Sequence, residues 1–392
     1  MKSIEIFAGA GGLALGAAKA GFKHEALLEW DADSCDALRA NVARKDWKFG
    51  EWKILQGDVK DYLFTSYKNH IDLVSGGPPC QPFSIGGKHK GFEDTRDMFP
   101  QAARVVSEVA PKAFVFENVR GLLRESFSEY FDYVIYRLRY PEEVKGKNEP
   151  WKEHLTRLER IHTSGHYSGL QYRVLHRLLN AANYGIPQKR QRVFIVGFRS
   201  DIEEPWNFPV ESHSEDALLV SKWITRSYWD ENEIPLKNRP QASEMEEKRL
   251  SKALLPFQDR WRTVRDAIGK LPDPTSSDSL RFQGHRYQPG ARPYAGHTGS
   301  LLDLPAKTLK AGDHGVPGGE NMVSLPDGSF RYFTVRESAR LQSFPDDYIF
   351  PASWTESMRQ IGNAVPVELS RIVMSSVRDA LLRNSLPLHE KN

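Results

Sequence analysis

The sequence predicts an α/β protein with a doubly wound sheet and a smaller, irregular second domain. In the first 200 residues, short apolar runs alternate with stretches of helical length, which is the order found in parallel sheets. From about residue 201 this alternation is lost, and it returns after Phe330. A length of 392 residues also exceeds what one core comfortably holds. We therefore predict one domain from residues 1–200 together with 331–392, and a second domain from residues 201–330.

The elements of the first domain are apolar runs bounded by glycine, proline or charged residues. A glycine turn separates the first strand from the first helix, and two prolines stop the fourth strand. The predicted strands are residues 4–7, 25–29, 53–59, 71–74, 113–116 and 193–197. The predicted helices are residues 13–20, 33–42, 335–341 and 367–382, the last two with apolar residues at three- and four-residue spacing.

Composition excludes several classes of protein. A chain with 40% hydrophobic and 27% charged residues is typical of soluble globular proteins. Two cysteines are too few for a disulfide scaffold or a cysteine-rich zinc site, and we predict no metal site. No apolar run approaches the ~18 residues that span a bilayer, and no leader precedes the first strand, so we expect a cytoplasmic protein without membrane contact.

Cys80 is the strongest candidate for a catalytic residue. It follows a predicted buried strand, in the peptide Ser-Gly-Gly-Pro-Pro-Cys-Gln-Pro-Phe-Ser at residues 75–84, and the carboxyl ends of parallel strands are where ligands bind. Residues 189–192 carry three cations in four positions, which would favour the reactive thiolate. The alternative is an inert buried cysteine, and this is the interpretation we accept for Cys35.

The glycine turn at residues 9–12 predicts a ligand close to the backbone at the start of a helix. Glu29 ends the second strand and can bond ribose hydroxyls, Trp30 offers an aromatic face, and Asp58 can accept a hydrogen bond from an adenine amino group. These residues predict a cofactor that contains adenosine. The turn also fits the dinucleotide fingerprint in its alanine-ended form, so a nicotinamide dinucleotide stays an alternative at this point.

The middle of the chain predicts contact with a polyanion. Between residues 260 and 310, lysine and arginine meet few acids, and tyrosine, histidine and glycine lie among them. In such a mixture the lysine and arginine side chains can contact phosphates, and the polar and aromatic side chains can contact the edges of bases. The alternative is a solvated, loop-rich surface. A net charge of only +3 permits nucleic acid binding but does not require it, and residues 203–247 are acidic.

Several peptides together resemble the DNA (cytosine-5)-methyltransferase family, in particular bacterial type II restriction-modification methyltransferases. They occur in the family's order and extend from residue 4 to residue 366. The matching peptides are Pro-Cys-Gln-Pro-Phe-Ser at 79–84, Glu-Asn-Val at 117–119, Gln-x-Arg-x-Arg at 188–192, Thr-Leu at 308–309, Thr-Val-Arg-Glu-Ser at 334–338 and Gln-Ile-Gly-Asn-Ala-Val-Pro at 360–366.

The resemblance implies S-adenosyl-L-methionine as methyl donor and a cytosine in duplex DNA as acceptor. It implies that Cys80 attacks C6 of the base, because cytosine C5 is a poor nucleophile until a thiolate adds to the ring. Glu117 would hydrogen-bond N3 and the exocyclic amine, preferably in its protonated form. Arg192 would hold O2, and Arg190 would face a phosphate or the nucleophile segment.

The resemblance also implies the surroundings of the cofactor and of the DNA. Around S-adenosyl-L-methionine it implies Phe7, Ala8, Gly9, Gly11, Gly12, Leu13, Glu29, Trp30, Asp58, Val59, Pro78, Phe99, Asn363 and Val365. The target cytosine must leave the helix stack before a nucleophile can reach it, so a loop is expected to close over the DNA. The DNA contacts implied are Ser84, Gly86, Lys88, Lys90, Arg96 and Thr308.

We expect a monomer that protects host DNA from a cognate restriction endonuclease, in a bacterial cytoplasm. A tRNA cytosine-5 methyltransferase is the second hypothesis, although the Cys-Phe-Thr peptide of that branch is absent. A catalytically silent DNA-binding homologue is the third, although Cys80, Glu117 and Arg192 are all retained. A dehydrogenase would have no use for Cys80 beside Glu117. The sequence leaves undecided whether the long stretch from 124 to 167 is a surface hairpin or a DNA contact.

Overall fold

The computed structural model describes residues 1–79, 97–251, 257–294, 298–311 and 321–384. The chain forms two compact units. The first unit consists of Met1–Leu179, Gln191–Phe208 and Ser370–Asn392. The second unit consists of Asn180–Arg190 and Pro209–Leu369. Residues 331–369, which the sequence groups with the catalytic domain, therefore pack within the second unit. The functional division into 1–200 plus 331–392 and 201–330 stays a prediction.

The first unit is built on a seven-stranded sheet, as far as the described residues go, in the order β3-β2-β1-β4-β5-β7-β6. Its strands are β1 (Lys2–Ile6), β2 (Lys23–Glu29), β3 (Ile54–Gln56), β4 (Leu73–Gly76), β5 (Ala113–Val119), β6 (Tyr172–Asn180) and β7 (Gln191–Arg199). The first five pair in parallel around β1, and β7 pairs antiparallel with β5. The predicted doubly wound α/β fold is confirmed.

Helices alternate with these strands, as the sequence predicts. They are α1 (Gly12–Lys19), α2 (Ala32–Val42), α3 (Phe99–Val109), α4 (Ser128–Arg139), α5 (Trp151–Ser164) and α12 (Val367–Asn384). The central strands β4 and β5 are buried along nearly their whole length, as expected for a parallel sheet covered on both faces. The C-terminal helix is tied to α1, because the Ser370 hydroxyl donates to the Leu13 carbonyl over 2.7 Å. Within the described residues, no helix is both long and apolar enough to cross a bilayer.

The third strand is shorter than predicted. The apolar run suggests residues 53–59, but β3 covers only Ile54–Gln56. Gly57 leaves the strand with φ 159°, and a Cβ there would lie 2.8 Å from the Tyr62 ring. Asp58 then caps a short 3₁₀ turn, accepting a hydrogen bond from the Lys60 amide over 3.0 Å. The turn ends the strand and leaves Asp58 just beyond its carboxyl end. This is the position from which Asp58 is predicted to accept a hydrogen bond from an adenine amino group.

The second unit combines short helices with two small sheets. Its helices are α6 (Glu215–Trp223), α7 (Ser227–Glu231), α8 (Glu244–Leu250), α9 (Val264–Ile268), α10 (Val335–Leu341) and α11 (Trp354–Asn363). Its strands are β8 (His213–Ser214), β9 (Asp259–Arg260), β10 (Ser300–Leu301), β11 (Met322–Ser324) and β12 (Phe330–Tyr332). An aromatic core formed by Tyr228, Trp229 and Trp261 holds α6 and α7 together.

Arg336 explains why the segment around α10 belongs to the second unit. Its side chain is almost fully buried, and its guanidinium donates to the carbonyls of Gln283, Pro345 and Tyr348 over 2.8–3.0 Å. A buried guanidinium is stable only when its donors are satisfied. The one side chain therefore fixes α10 to the chain on both sides of it, and no periodicity in the sequence reveals such long-range contacts.

Glu5 is an unusual residue in the centre of the first unit's sheet. It lies fully buried on β1, directly opposite Ser75 on β4, whose hydroxyl donates to Oε2 over 2.7 Å. Its Oε1 has no hydrogen-bond partner among the described residues. Burial raises the pKa of Glu5 to about 8, and the charge of Glu29 adds to the shift. The folded protein thus holds Glu5 protonated at neutral pH.

This gives a prediction for stability against pH. Above pH 4.5 the unfolded chain releases the Glu5 proton while the folded protein keeps it, so the contribution to stability falls as pH rises towards 8 and is then level. Glu5→Gln, a neutral isostere, should remove this slope, which is at most about 1.4 kcal/mol per pH unit. Urea unfolding of both proteins at pH 5, 6.5 and 8 measures it. Parallel pH profiles for the two proteins would contradict the buried neutral acid.

Candidate active site

Strand β5, which carries Glu117, lies against the peptide that leads to the predicted nucleophile Cys80. Asn118 donates from Nδ2 to the Pro78 carbonyl over 2.9 Å. A Cβ built on Gly77 would lie 3.6 Å from Oε2 of Glu117, an ordinary contact distance, so the backbone after β4 runs close to the carboxyl. Cys80 follows two residues after Pro78 and lies outside the described residues. The structure thus places Glu117 beside the residues that immediately precede Cys80.

The structure also brings Arg192 to Glu117. The antiparallel pairing of β5 with β7 sets Arg192 opposite Val119, two residues from Glu117. The Arg192 Nε lies 2.8 Å from Oε1 of Glu117, and the two side chains are only 12% and 9% exposed. Burial lowers the pKa of Arg192, while the Glu117 charge acts against that shift. A carboxyl group and a guanidinium therefore lie in contact at a strand end, where both are largely shielded from solvent.

Arg190, which the resemblance places near the phosphate or the nucleophile, has a different environment. Its side chain is fully buried in the second unit, where its guanidinium donates to the carbonyls of Leu309, Gly362 and Ala364 over 2.6–2.9 Å. These contacts join three separate stretches of that unit. They give Arg190 a structural role and lend no support to the catalytic role, which stays a prediction.

The glycine turn is fixed by Glu29. Oε2 of this carboxyl accepts a hydrogen bond from the Gly9 amide over 2.7 Å, and Oε1 accepts from the amides of Trp30 and Asp31 over 3.0 and 2.9 Å. Gly9 adopts φ 53° and Gly11 φ 83°, conformations that glycine adopts with little cost. Burial raises the pKa of Glu29, and the amides of Asp31 and Gly9 oppose the shift. Glu29 thus shapes the turn as well as offering lone pairs to a ligand.

The side chains around this turn fit an adenosine-bearing cofactor. The Trp30 ring is 75% exposed beside the buried Glu29, and an exposed indole next to a fixed carboxylate can stack on a base while the carboxylate bonds a ribose. A Cβ built on Gly9 meets no atom within 4 Å, so there is open space at the turn. Asp58 stands half-exposed at the end of β3, with Val59 buried behind it.

The other predicted cofactor residues fall into two groups. In the first unit, Phe7 is half-buried with φ 56°, and five residues that are buried form the turn, the start of α1, the end of β4 and the start of α3: Ala8, Gly12, Leu13, Pro78 and Phe99. In the second unit, Asn363 ends α11 exposed and Val365 is buried two residues later. Their contact with a cofactor stays a prediction.

Thr308 lies on a concave, cationic surface of the second unit. Its hydroxyl donates to the Lys189 carbonyl over 2.7 Å, and Lys307 Nζ donates to Thr298 over 3.0 Å. The concavity has a volume of about 710 Å³ and is lined in part by Lys189, Lys307 and Lys310. The remaining predicted DNA contacts lie outside the described residues: Ser84, Gly86, Lys88, Lys90 and Arg96.

Comparison with known proteins decides the family. The family model for C-5 cytosine-specific DNA methylases matches residues 1–140 and 152–379. The chain belongs to this family. The methylase is thus a DNA (cytosine-5-)-methyltransferase, as its peptides predict. The family model leaves residues 141–151 unmatched, and Trp151, the last of them, is the first residue of α5.

The methylase resembles several characterised bacterial proteins over nearly its whole length. It is 32% identical to the type II methyltransferase M.Eco47II of Escherichia coli, over 95% of this chain and 78% of that protein. It is 30% identical to M.NgoMIV of Neisseria gonorrhoeae, over 98% of this chain and 99% of that protein. Among solved structures, the S. pombe Dnmt2 methyltransferase has the same fold, with a TM-score of 0.55 at 17% identity and coverage of 97% and 99%.

Two contacts within the candidate site of the methylase are not visible in its sequence. The Asn118 amide that holds Pro78 is signalled only by the Glu-Asn-Val peptide, which gives no partner. The contact of Glu117 with Arg192 depends on the antiparallel direction of β7, and the apolar run at 193–197 does not reveal a direction.

Proposed function

We propose that this methylase transfers a methyl group to C5 of a flipped-out cytosine in duplex DNA, at a specific sequence, through a covalent adduct between Cys80 and C6. One observation carries the proposal. The Glu117 carboxyl, paired with Arg192 over 2.8 Å, lies against the backbone that leads directly into Cys80. A nucleophile, an acid and a cation in that arrangement are what addition to a cytosine ring requires.

Each of the three residues acts on a different atom of the base. The Cys80 thiolate adds to C6, and the electron pair of the C5–C6 bond makes C5 nucleophilic. Glu117 hydrogen-bonds N3 and the exocyclic amine, where charge develops during the addition, and Arg192 holds O2. Because Glu117 and Arg192 are nearly dry, their interactions with the ring are stronger than they would be in water.

The residues proposed to hold S-adenosyl-L-methionine are those at the glycine turn, with Trp30 against the adenine and Glu29 on the ribose. When bound, this cofactor supplies the methyl group that C5 acquires. Loss of the C5 proton and departure of the Cys80 thiolate then restore the aromatic ring and the free enzyme. No described side chain is assigned as the base for that proton, and bound water serves the role in this proposal.

The DNA partner is proposed from the chemistry of the second unit and the family. The target base leaves the stack at a cost of a few kcal/mol, and the segment from Ser84 to Phe92 closes over the DNA in this proposal. Residues 201–330 act as the target-recognition domain and Thr308 contacts DNA from it. The relatives named as type II methyltransferases support a protective role beside a restriction endonuclease. The enzyme acts as a monomer in the bacterial cytoplasm in this proposal.

Methyl transfer from tritiated S-adenosyl-L-methionine tests the function. Unmethylated duplex DNA of mixed sequence and unmodified tRNA are incubated separately with the protein. Label in DNA as 5-methylcytosine is expected, with tRNA unlabelled. Label only in tRNA would favour a tRNA methyltransferase, and tight DNA binding without any label would favour a catalytically silent homologue.

The concave surface of the second unit gives a prediction on DNA affinity. Lys307→Ala with Lys310→Ala should weaken binding similarly for all sequences, because each substitution leaves a phosphate without its counter-charge. The slope of log K against log salt should fall by about 1 for each phosphate that no longer meets a lysine. Fluorescence anisotropy at several salt concentrations measures it. Lys237→Ala, an exposed lysine of the same unit, is the control, and an equal effect there would contradict a local DNA site.

A further inference from the structure

The segment that contains Cys80 begins and ends at one place in the first unit. The Met98 amide donates to the Pro79 carbonyl over 3.2 Å, so the residues that flank segment 80–96 are hydrogen-bonded to each other. Pro79 is the residue directly before Cys80. The hydrogen bond between the flanks therefore helps to fix Pro79, from which the chain leads into Cys80.

Each flank is held by a different side chain. On the first flank, Asn118 holds the Pro78 carbonyl and so joins it to strand β5. On the second flank, Asp97 accepts a hydrogen bond from the Phe99 amide at the start of α3 over 3.1 Å. The other carboxyl oxygen of Asp97 accepts a hydrogen bond from the Tyr130 hydroxyl. Asn118 belongs to a family peptide, whereas the role of Tyr130 follows from the structure alone.

Tyr130 contacts both Asp97 and a residue of the stretch that the family model leaves unmatched. It lies on α4, is only 3% exposed, and its ring packs edge-on against Trp151 with centroids 5.7 Å apart. Trp151 is the first residue of α5 and the last residue of the stretch that the family model leaves unmatched. Trp151, at the end of the unmatched stretch, thus packs against Tyr130, whose hydroxyl donates to Asp97.

We propose that Tyr130, supported by Trp151, is a positioning residue for the covalent step of this methylase. It fixes Asp97, and through the hydrogen bond between the Met98 amide and the Pro79 carbonyl it helps to fix the residue directly before Cys80. The proposal rests on the proposed role of Cys80. It assigns Trp151, at the end of the unmatched stretch, to support of this flank from within the first unit.

The expected effect follows from the sensitivity of covalent catalysis to geometry. A displacement of about 1 Å in a reacting group can cost about 100-fold in rate without affecting substrate binding. Loss of one hydroxyl at the edge of the flank should displace Cys80 by less than that. We expect a loss of roughly 10-fold in the rate of the covalent step, with binding unaltered.

Tyr130→Phe tests the proposal, with Tyr133→Phe as matched control. Both tyrosines lie on α4 and pack against Trp151, but the Tyr133 hydroxyl hydrogen-bonds His154 over 2.9 Å, whereas the Tyr130 hydroxyl donates to Asp97. For each protein we would measure kcat, KM for the cofactor, DNA affinity, thermal stability and the rate of covalent complex formation on duplex DNA that contains 5-fluorocytosine.

Tyr130→Phe is expected to lower kcat and the rate of complex formation about 10-fold, with KM and DNA affinity within twofold of wild type. Tyr133→Phe should keep the wild-type rates. Wild-type rates in Tyr130→Phe, or equal losses in the two variants that follow thermal stability, would overturn the proposal. If the wild-type protein itself neither methylates DNA nor forms a complex, the proposed function fails, and that result is seen before any variant is compared.

Discussion

Replacing Cys80 with serine is expected to abolish methyl transfer, with kcat lowered by roughly 10⁴-fold or more. A serine hydroxyl does not ionise near neutral pH and is a far weaker nucleophile than a thiolate, so addition to C6 stops. DNA binding and cofactor binding should persist, because neither depends on the thiolate. Filter assays with tritiated cofactor and DNA gel shifts measure the two properties separately.

The other cysteine supplies the control. Cys35 is fully buried on α2, where its Sγ lies 3.4 Å from the Glu29 carbonyl, and burial raises its pKa to about 11. Such a thiol is inert near neutral pH. Cys35→Ser should therefore keep most of the activity. Full turnover in Cys80→Ser, or a loss in Cys35→Ser as great as that in Cys80→Ser, would contradict the covalent mechanism.

Glu117→Gln is expected to lower kcat by about 10²- to 10³-fold, the usual effect of removing one group that stabilises developing charge. The amide keeps the shape of the side chain, but it can neither give a proton to N3 nor carry the charge that pairs with Arg192. Cofactor affinity should stay within a few-fold of wild type, because Glu117 lies on β5, away from the glycine turn between β1 and α1.

Stability needs to be measured alongside, because Glu117→Gln leaves the buried Arg192 guanidinium without its partner. Single-turnover rates of folded protein, with thermal melts of the same samples, separate chemistry from folding. Equal losses in cofactor affinity and in rate would show that Glu117 supports the cofactor site and has no distinct role in chemistry.

Much of the secondary structure of both units could be predicted because it depends on local signals. The glycine turn, the two prolines after β4 and the apolar runs between them determine strands and helices through interactions within a few residues. Helix α10 has the bounds that the sequence predicts, 335–341, and Thr334 explains why, because its side chain and that of Glu337 form a capping box at the first turn.

What could not be predicted depends on distant contacts. The Arg336 guanidinium binds carbonyls 9, 12 and 53 residues away, all within the second unit that holds residues 331–369, and no local pattern in the sequence indicates these partners. The same is true of Arg190, whose guanidinium the sequence suggests for an anion but the structure gives to three backbone carbonyls. A cation in a motif has the same appearance in sequence whether it binds a ligand or the backbone.

The stretch that the family model leaves unmatched shows a third kind of limit. The sequence leaves undecided whether the charged stretch before α5 is a surface hairpin or a DNA contact, and Glu142, Lys145 and Lys147 within it are exposed. The inward contacts of Trp151 with Tyr130 and Tyr133 define how α5 packs, however, and a single tryptophan in a charged run gives no partner. The role of such a segment emerges only when the residues it packs against are known.

Trapping with 5-fluorocytosine tests the central claim most directly. In 5-fluorocytosine, fluorine replaces the C5 hydrogen that must be removed as a proton before the thiolate can leave. An enzyme that forms a covalent adduct therefore stays attached to this DNA. The protein is incubated with the cofactor and duplex DNA containing 5-fluorocytosine, denatured, digested and mapped by mass spectrometry. A cytosine adduct on Cys80, absent in Cys80→Ser, is the predicted result. Methylation of ordinary DNA without any adduct, or an adduct on another residue, would contradict it.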